Sequence, residues 1–351
     1  MCEFLSFAIP KNGKVEILVS EYLDSHEGIT IYNNIGQNDY LECEWTEDSI
    51  EKLEVRCEDK EWGEKRKTEL LKYYPRRIDI INEAIKKINN RGMGDNLGLS
   101  ELTSAVGLIL PEEIDGSLYL SGLTSAEGLK LPQKIGDLLD LSGLTSAVGL
   151  ILPEEIGGSL DLSGLISAIG LILPQKIGGT LYLSGLTSAE GLVLPQKIDG
   201  SLDLSGLTSA VGLILPEEIG DSLYLSGLTS AEGLKLPQKI GGSLCLSGLT
   251  SAEGLVLPQK IGGSLYLNGL TSAVGLTLPQ EISGSLYLRG LTSAIGLTLP
   301  QKIGVSLYLS ELTNVEGIIF PQKIGGFLDL RKIPKKEKEY ISKKYPNLQI
   351  Y

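Results

Sequence analysis

Apolar residues recur along most of this chain in two short Leu-x-Leu alternations, and both return every 21 residues. With Ser100 as position 1, the unit repeats eleven times without slippage and ends at Leu330. Leucine is invariant at positions 3, 19 and 21, glycine at 8, proline at 12 and isoleucine at 15. Alternation with a period of two is typical of a half-buried strand, so the pattern predicts strands at positions 9–11 and 19–21.

The glycines and the proline of the unit argue against a helix. Glycine is frequent at positions 2, 8, 16 and 17, and with the proline at position 12 it leaves no helical stretch of useful length. One unit cannot bury its own leucines, but stacked units can, so the repeats predict a parallel β-solenoid of eleven coils. We expect positions 3, 9, 11, 15, 19 and 21 to face inward, together with the alanine at position 6.

Two smaller features of the unit predict backbone details. Serine and threonine at positions 4 and 5, such as Thr229 and Ser230, are expected to stack at a corner and satisfy backbone groups locally. Glu101 and Glu311 replace glycine at position 2, so that position does not require a positive φ. The invariant glycine at position 8 is the candidate for one.

The segments on either side of the repeats have a different composition. Residues 1–95 predict a small α+β domain with strands at FLSFAIP, KVEILVS, YLECEW and KLEVRCE, a hairpin turn at Asn12-Gly13, and helices over 61–90 that break near Pro75. The last segment, 331–351, predicts a short basic helix and a final strand. Because the open ends of a solenoid expose strand edges and leucines, both segments have a simple interpretation as caps. The predicted organisation is therefore 1–95, 96–330 and 331–351.

The repeat, written IGGSLYLSGLTSAEGLVLPQKI, resembles irregular leucine-rich-repeat-like arrays of bacteria and their phages over residues 100–330. It lacks the recurrent asparagine and the helical return of the standard pattern L-x-x-L-x-L-x-x-N, so the resemblance implies a straighter, all-β solenoid and no particular ligand. The opening MCEFLSFAIPKNGKV with SHEGI is similar to small uncharacterised domains that precede such arrays, which implies no known activity.

Charge limits the classes of partner. The chain carries a net charge of −13, divided into about −6 over residues 1–99, −12 over 100–330 and +5 over 331–351. Nucleic acids and anionic membranes are bound by clustered Lys and Arg, so we expect no direct nucleic-acid binding and no membrane binding. Four cysteines make no disulfide framework, and neither a signal peptide nor a membrane span is evident. These features predict a cytoplasmic protein.

The chain offers little catalytic chemistry. Its one histidine, His26, argues against a Ser-His-Asp triad or a zinc site built of histidines. Cys2, with or without His26, remains a candidate nucleophile for an enzymatic N-terminal domain. Cys43 and Cys57 lie on predicted neighbouring strands without metal or redox spacing. The repeats contain neither a phosphate-binding loop nor a calcium-binding nonapeptide. We therefore predict no enzymatic activity for the repeats, no cofactor and no metal.

The variable positions of the unit predict two outward rows of side chains. Position 20 varies among Tyr, Asp and Cys, and includes Cys245. Positions 7 and 10 vary together in coils such as those of Val148 with Ile151 and of Glu232 with Lys235. The candidate partner-binding residues are an aliphatic stripe and a three-membered tyrosine ladder: Val148, Ile151, Ile169, Ile172, Val193, Val211, Ile214, Tyr266, Tyr287 and Tyr308. Exposed apolar patches and tyrosines mark binding surfaces, although the same residue types also favour strands for purely structural reasons.

These patterns favour a non-enzymatic protein-binding or scaffold protein that presents an outward row to a protein partner or to itself. Two alternatives stay open: an acidic, rod-shaped decoy of nucleic acid, and an enzymatic N-terminal domain carried on a structural solenoid. Binding of ice by threonine rows is disfavoured, because Thr and Ser are adjacent at a presumed corner rather than alternating on a flat face.

Overall fold

The computed structural model describes residues 6–10, 40–45, 53–56, 60–90, 96–321 and 323–351. The chain forms two compact units, Met1–Leu160 and Asp161–Tyr351. In each unit the repeats are wound as coils whose short strands pair in parallel with strands 21 residues away. The predicted parallel β-solenoid is confirmed. The boundaries at residues 95 and 330 stay predictions.

The first described elements are three antiparallel strands, β1 (Ser6–Pro10), β2 (Tyr40–Trp45) and β3 (Leu53–Arg56). Cys43 of β2 lies opposite Phe7 on one side and Val55 on the other. Three of the four strands expected in the N-terminal segment are thus present. The predicted strand KVEILVS, the Asn12-Gly13 turn, Cys2, His26 and Cys57 all lie outside the described residues.

Two helices follow, α1 (Lys60–Tyr73) and α2 (Arg77–Asn90), with the predicted break at Pro75 between them. The carboxylate of Asp79, in the first turn of α2, accepts the backbone N–H of Arg76 at 3.0 Å. This contact satisfies one of the free donors at the start of the helix. The apolar face of the helix pair is buried: Leu70, Ile80, Ile81, Ala84 and Ile85 are at most 4 % exposed.

Helix α2 covers the first coil of the repeats. The side-chain amide of Asn82 donates to the carbonyl oxygen of Gly107 at 2.8 Å, and its oxygen accepts the N–H of Ile109 at 2.9 Å. Ile78 is the nearest side chain to Gly107, and at the corresponding Gly128 of the next coil the nearest residue is Val106 of the preceding coil. The helix therefore occupies the place of a preceding coil and serves as a cap.

The coils contribute two rows of short strands. The first row, at positions 19 and 20, begins with β4 (Leu97–Gly98) one coil length before the first repeat. In chain order the elements of both rows are β5 (Glu113–Ile114), β6 (Leu118–Tyr119), β7 (Lys134–Ile135), β8 (Leu139–Asp140), β9 (Glu155–Ile156), β10 (Leu160–Asp161), β11 (Lys176–Ile177), β12 (Leu181–Tyr182), β13 (Lys197–Ile198), β14 (Leu202–Asp203), β15 (Glu218–Ile219), β16 (Leu223–Tyr224), β17 (Lys239–Ile240), β18 (Leu244–Cys245), β19 (Leu265–Tyr266), β20 (Glu281–Ile282), β21 (Leu286–Tyr287), β22 (Lys302–Ile303), β23 (Leu307–Tyr308), β24 (Lys323–Ile324) and β25 (Phe327–Asp329).

Identical positions of neighbouring coils lie side by side. In the first row Leu202 pairs with Leu223 and Leu223 with Leu244. In the second row Ile198 pairs with Ile219, and single bridges at Ile261 continue the row between β17 and β20. Each position of the repeat therefore forms a straight file of side chains within a unit.

The core consists of the positions expected to face inward, with one exception. The leucines at 3, 19 and 21 and the isoleucine at 15 are buried in every coil, and so is the alanine at 6 in the first nine coils. The exception is position 11, where Leu215 is half-buried while the adjacent Pro216 is buried. The proline thus takes the inward place that the alternation assigned to the leucine.

The prediction of a strand at positions 9–11 is wrong in the described coils, whose second strand lies at positions 14 and 15. Positions 6–9 form a β-turn instead: the N–H of Leu213 donates to the carbonyl of Ala210 at 3.0 Å, and Gly212 has a φ of 81°. A glycine with this φ at the third residue is the signature of a type II turn. Because the proline at position 12 has no N–H, pairing with the next coil begins only beyond it.

All eleven glycines at position 8 have φ between 76° and 82°, as the invariance of that position predicted. The glycine at position 2 has another cause. A Cβ on Gly227 would lie 2.4 Å from the carbonyl oxygen of Ser205 in the preceding coil, so the backbones approach too closely for a side chain. Glu311 occupies this position in the last coil, where it pairs with Lys332.

The C-terminal segment is the predicted helix and strand, α3 (Lys335–Lys344) and β26 (Gln349–Ile350). Strand β26 pairs in parallel with β25 and adds one strand beyond the last repeat. Ile341 of α3 and Leu348 are buried, and the ring of Tyr345 meets Phe320 edge-on. The segment therefore closes the end of the second unit. None of the helices in the described ranges is both long and apolar enough to cross a bilayer.

Candidate binding face

The outward rows at positions 7 and 10 stand on a backbone fixed by other residues. In each of the eleven coils the side chain at position 5 accepts the N–H of position 7, as Ser230 does for Glu232 at 3.1 Å. The predicted local role of these serines is therefore confirmed. Since serine and the glycine turn determine the backbone, the side chains at positions 7 and 10 can change without altering the coil. We call these two rows the ladder face.

The candidate aliphatic residues of the ladder face are all exposed. In the first unit Val148 and Ile151 are 72 % and 80 % exposed. In the second unit the exposed fraction lies between 59 % and 79 % for Ile169, Ile172, Val193, Val211 and Ile214. On a half-buried strand these side chains would be partly covered by their neighbours. Here they stand on the turn and on the extended segment that follows it, and this placement explains their high exposure.

The ladder face has further aliphatic members. The second unit adds Val256, Val274, Ile295 and Ile319, and the first unit adds Val106 and Ile109. Ile166, which is 66 % exposed, lies at position 4 of a coil that also carries Ile169 and Ile172. The sequence contained a signal for it, because every other coil has threonine at this position.

Shallow clefts separate the extended segments beside the ladder face. One, of about 620 Å³, lies between the tenth and eleventh coils, where Thr298 and Ile319 stand at position 10 and Pro300 and Phe320 form part of the wall. A cleft of about 550 Å³ in the first unit is lined by Lys130, Ile151 and the prolines of two coils. The half-buried leucines of position 11 therefore add apolar surface next to the exposed rows.

The three candidate tyrosines form a stacked column at position 20 of the second unit. The rings of Tyr266 and Tyr287 are 4.4 Å apart and 8° from parallel, and those of Tyr287 and Tyr308 have the same separation and angle. The guanidinium of Arg289 lies 4.6 Å from the ring centre of Tyr308. Phe327 then meets Tyr308 edge-on and ends the column.

Stacking leaves these tyrosines half-buried, with their ring faces covered by one another. Burial raises the pKa of Tyr266 and of Tyr308, and contact with Tyr287 raises both further. Attractive ring stacking and cation–π contact stabilise such a column by themselves. The ladder face therefore presents more accessible apolar surface than the tyrosines do.

The aspartates of position 20 have a structural role that the sequence did not reveal. The carboxylate of Asp203 accepts the N–H of Ser205 at 2.9 Å, and Asp140 and Asp161 do the same for the next serine. Position 20 was expected to face outward in every coil, but the side chain of Asp329 is 1 % exposed and forms an ion pair with Arg331. The thiol of Cys245 lies 3.6 Å from the hydroxyl of Ser247, a contact with the serine side chain rather than with its N–H.

A row of buried and half-buried serines at position 18 was also missed. The hydroxyl of Ser285 accepts the N–H of Ser306 at 3.1 Å. The same contact joins each coil to the next from Ser201 onward, and in the last one the hydroxyl of Ser306 accepts the N–H of Phe327. Each hydroxyl thus satisfies a backbone donor of the following coil, which joins the coils without forming a site.

Acids and lysines are interspersed on the second strand row. At position 14 Lys197, Glu218 and Lys239 are successive neighbours, and Lys239 contacts Glu218 at 2.5 Å. The hydrogen bond and charge of Lys239 lower the pKa of Glu218. Lysine also accompanies an acid in the pairs Lys134–Asp115 and Lys302–Glu281. The acidic surface of the repeats is therefore interrupted by lysines at regular positions.

Within the part of the chain that the structure describes, no group of three or more His, Cys, Asp or Glu side chains is placed to hold a metal ion. The arrangement that the described residues do offer is an extended aliphatic surface for non-covalent association. No family model, no curated protein and no solved structure matches this chain.

Proposed function

We propose that this chain is a non-enzymatic protein-binding or scaffold protein of the cytoplasm, and that it belongs with the leucine-rich-repeat-like arrays of bacteria and phages. Its binding surface is the ladder face. The supporting observation is that aliphatic side chains up to 80 % exposed recur at positions 7 and 10, on a coil whose invariant leucines and isoleucine are in the core. Contiguous apolar surface of this kind is uncommon on proteins that associate with nothing.

The two other interpretations receive less support. A decoy of nucleic acid needs a continuous negative surface, whereas lysines interrupt the acids at position 14, as Lys239 does beside Glu218. An enzymatic N-terminal domain would depend on Cys2 and His26, which lie outside the described residues. It stays a prediction from the sequence.

The proposal is tested by placing charge on the ladder face. In the variant Ile151→Lys/Ile172→Lys/Ile214→Lys we expect loss of both partner capture and self-association at an unchanged melting temperature, because the three side chains are exposed. Capture from a lysate of the native host, read by mass spectrometry, and sedimentation velocity of the purified chain measure the two forms of association.

The matched control is Gln133→Lys/Gln175→Lys/Gln238→Lys, which adds the same three charges at exposed residues of position 13. The control should behave as the unaltered chain does. Equal association of both variants would show that the ladder face is not the binding surface.

A further inference from the structure

In three coils of the second unit the residues at positions 7 and 10 are of matching type. Ile169 accompanies Ile172, Val211 accompanies Ile214, and Glu232 accompanies Lys235. The first unit shows the same rule, with Val148 beside Ile151 and Glu127 beside Lys130. Such matching calls for a physical cause, because both positions are exposed and neither contributes to the core.

Ion pairing within a coil does not supply that cause. Among the ion pairs of the described residues, none joins Glu232 to Lys235 or Glu127 to Lys130, whereas Lys239 and Glu218 of adjacent coils do pair. In these two coils the carboxylate at position 7 and the ammonium at position 10 are both free in solvent. Their complementary charges are therefore available to a surface outside the chain.

We propose that the ladder face of the second unit binds the same face of a second copy of this chain, with the two copies running in the same direction about a twofold axis parallel to the rows. This inference rests on the proposed function and names the partner. Within the unit, each position forms a straight file of side chains along the coils. In a parallel pair of this symmetry, the file at position 7 lies over the file at position 10 of the second copy.

The parallel arrangement satisfies the matching rule. Ile169 lies over Ile172 of the second copy, Val211 over Ile214, and Glu232 over Lys235, each contact occurring twice by symmetry. In the antiparallel alternative, each row of one copy faces the same row of the other copy. The acids of position 7, among them Glu190 and Glu232, are then brought together. Repulsion between like charges across an interface disfavours that arrangement.

The coils that do not follow the matching rule create no repulsion in the parallel pair. Glu190, Glu253 and Glu316 stand beside Val193, Val256 and Ile319, and Val274 and Ile295 stand beside Thr277 and Thr298. In the parallel pair each acid therefore lies opposite an aliphatic side chain, and Glu190 of the fifth coil does so within the contact. The interface that we infer therefore consists of apolar contacts at the fourth and sixth coils and of the Glu232–Lys235 charge pair at the seventh.

The apolar area fits a dimer interface. Burying a side chain of this size removes on the order of 100 Å² of apolar surface from water. The six exposed residues Ile166, Ile169, Ile172, Val193, Val211 and Ile214 thus offer roughly 600 Å². That is at the upper end of the patches on monomers and close to the ~800 Å² per partner of a stable interface. Uniformly aliphatic composition is also more typical of homodimers than of transient complexes.

Charge exchange at the seventh coil tests the pairing and its direction on the purified full-length chain. We expect the unaltered chain to sediment as a dimer at micromolar concentration. Glu232→Lys and Lys235→Glu should each raise the dimer dissociation constant about tenfold or more, because each variant faces itself with like charges. An equimolar mixture of the two variants should recover dimerisation, and so should the double variant E232K/K235E. Lys260→Glu, an exposed charge reversal at position 14, is the control and should leave the dimer intact.

Any result other than these overturns the inference. A monomeric unaltered chain excludes the second copy as partner, while capture by the ladder face would still support the proposed function. A dimer that is insensitive to both single charge reversals uses another surface. Weakened single variants that do not recover in the mixture exclude the parallel direction. Because the side chains at positions 7 and 10 are exposed and vary between coils, these variants keep the fold, and the melting temperature verifies it.

Discussion

The side-chain amide of Asn82 donates a 2.8 Å hydrogen bond to the carbonyl oxygen of Gly107, and through it helix α2 closes the first coil. The same side chain accepts the N–H of Ile109. One amide thus satisfies a backbone acceptor and a backbone donor at the end of the array.

Asn82→Ala is expected to destabilise the first unit by about 1 kcal/mol, since two hydrogen bonds are lost but water can reach both exposed backbone groups. Asn82→Asp is the matched variant, because a carboxylate still accepts from Ile109 and cannot donate to Gly107. We expect it to lose less stability than the alanine variant. Urea unfolding gives the free energies, and amide hydrogen exchange at Ile109 reports the local opening. Unchanged exchange in the alanine variant would contradict the capping role.

The two kinds of glycine are expected to respond differently to alanine. Gly212→Ala places a Cβ in open space but on a residue with a φ of 81°, so the loss is conformational and on the order of 1 kcal/mol. Gly227→Ala places a Cβ 2.4 Å from the carbonyl oxygen of Ser205 and forces the coils apart. We expect its destabilisation to be larger by about 1–3 kcal/mol. Thermal unfolding of both variants measures the difference, and the reverse ranking would contradict this account. Asn in place of Gly212 should be tolerated better than Ala.

The buried serine row should contribute more stability than the exposed one. Ser285→Ala leaves the N–H of buried Ser306 without its acceptor, and we expect a loss of about 1–3 kcal/mol. Ser230→Ala removes the same kind of contact from the exposed N–H of Glu232, where water replaces the hydroxyl. Its effect should stay below about 1 kcal/mol. Chemical denaturation of the two variants provides the comparison. Equal losses would show that burial of the donor does not control the effect.

The tyrosine column should make the protein less stable in alkali. Burial first, and then contact with Tyr287, raises the pKa of Tyr266 and Tyr308 in the folded chain. Stability from a raised pKa is fully present below the unfolded value near 10 and is lost as the pH rises through the folded value. Lysines also titrate in this range, so the informative quantity is the difference between variants.

In Tyr266→Phe/Tyr308→Phe we expect a smaller loss of melting temperature between pH 9 and 11 than in the unaltered chain. Tyr182→Phe, which alters a more exposed tyrosine at the same position of the repeat, is the control and should retain the full loss. Ultraviolet titration of phenolate should show two tyrosines fewer at high pH in the double variant. An identical pH dependence of all three proteins would contradict the effect of burial.

Much of the architecture follows from the repeat itself. The 21-residue period, the leucines at positions 3, 19 and 21 and the isoleucine at 15 predicted the solenoid and nearly all of its core, because one unit cannot bury its apolar residues and stacked units can. The invariant glycine at position 8 predicted a positive φ, since only glycine adopts one without strain. Seven of the aliphatic residues of the ladder face were identified from their variability alone.

Other features depend on what lies beside each segment in space. The alternation Leu-x-Leu is the same at positions 9–11 and 19–21, yet only the second becomes a strand. Strand pairing needs free backbone N–H groups. At positions 9–11 the glycine turn uses one N–H for itself and the adjacent proline has none, so this segment does not pair. The burial of Asp329 and the serine row likewise arise only when the next coil or the C-terminal segment is in place.

The sequence by itself therefore determined the length of a coil, its inward residues and the positions free to vary, because these depend on local conformation and on the burial of apolar side chains. Only the tertiary structure decided which extended segment pairs, which serines and aspartates are bonded, and how Asn82 ends the array. Those outcomes depend on hydrogen-bond partners brought close by the neighbouring coil, or by the helix that takes its place, and the pattern within a single repeat carries no information about them.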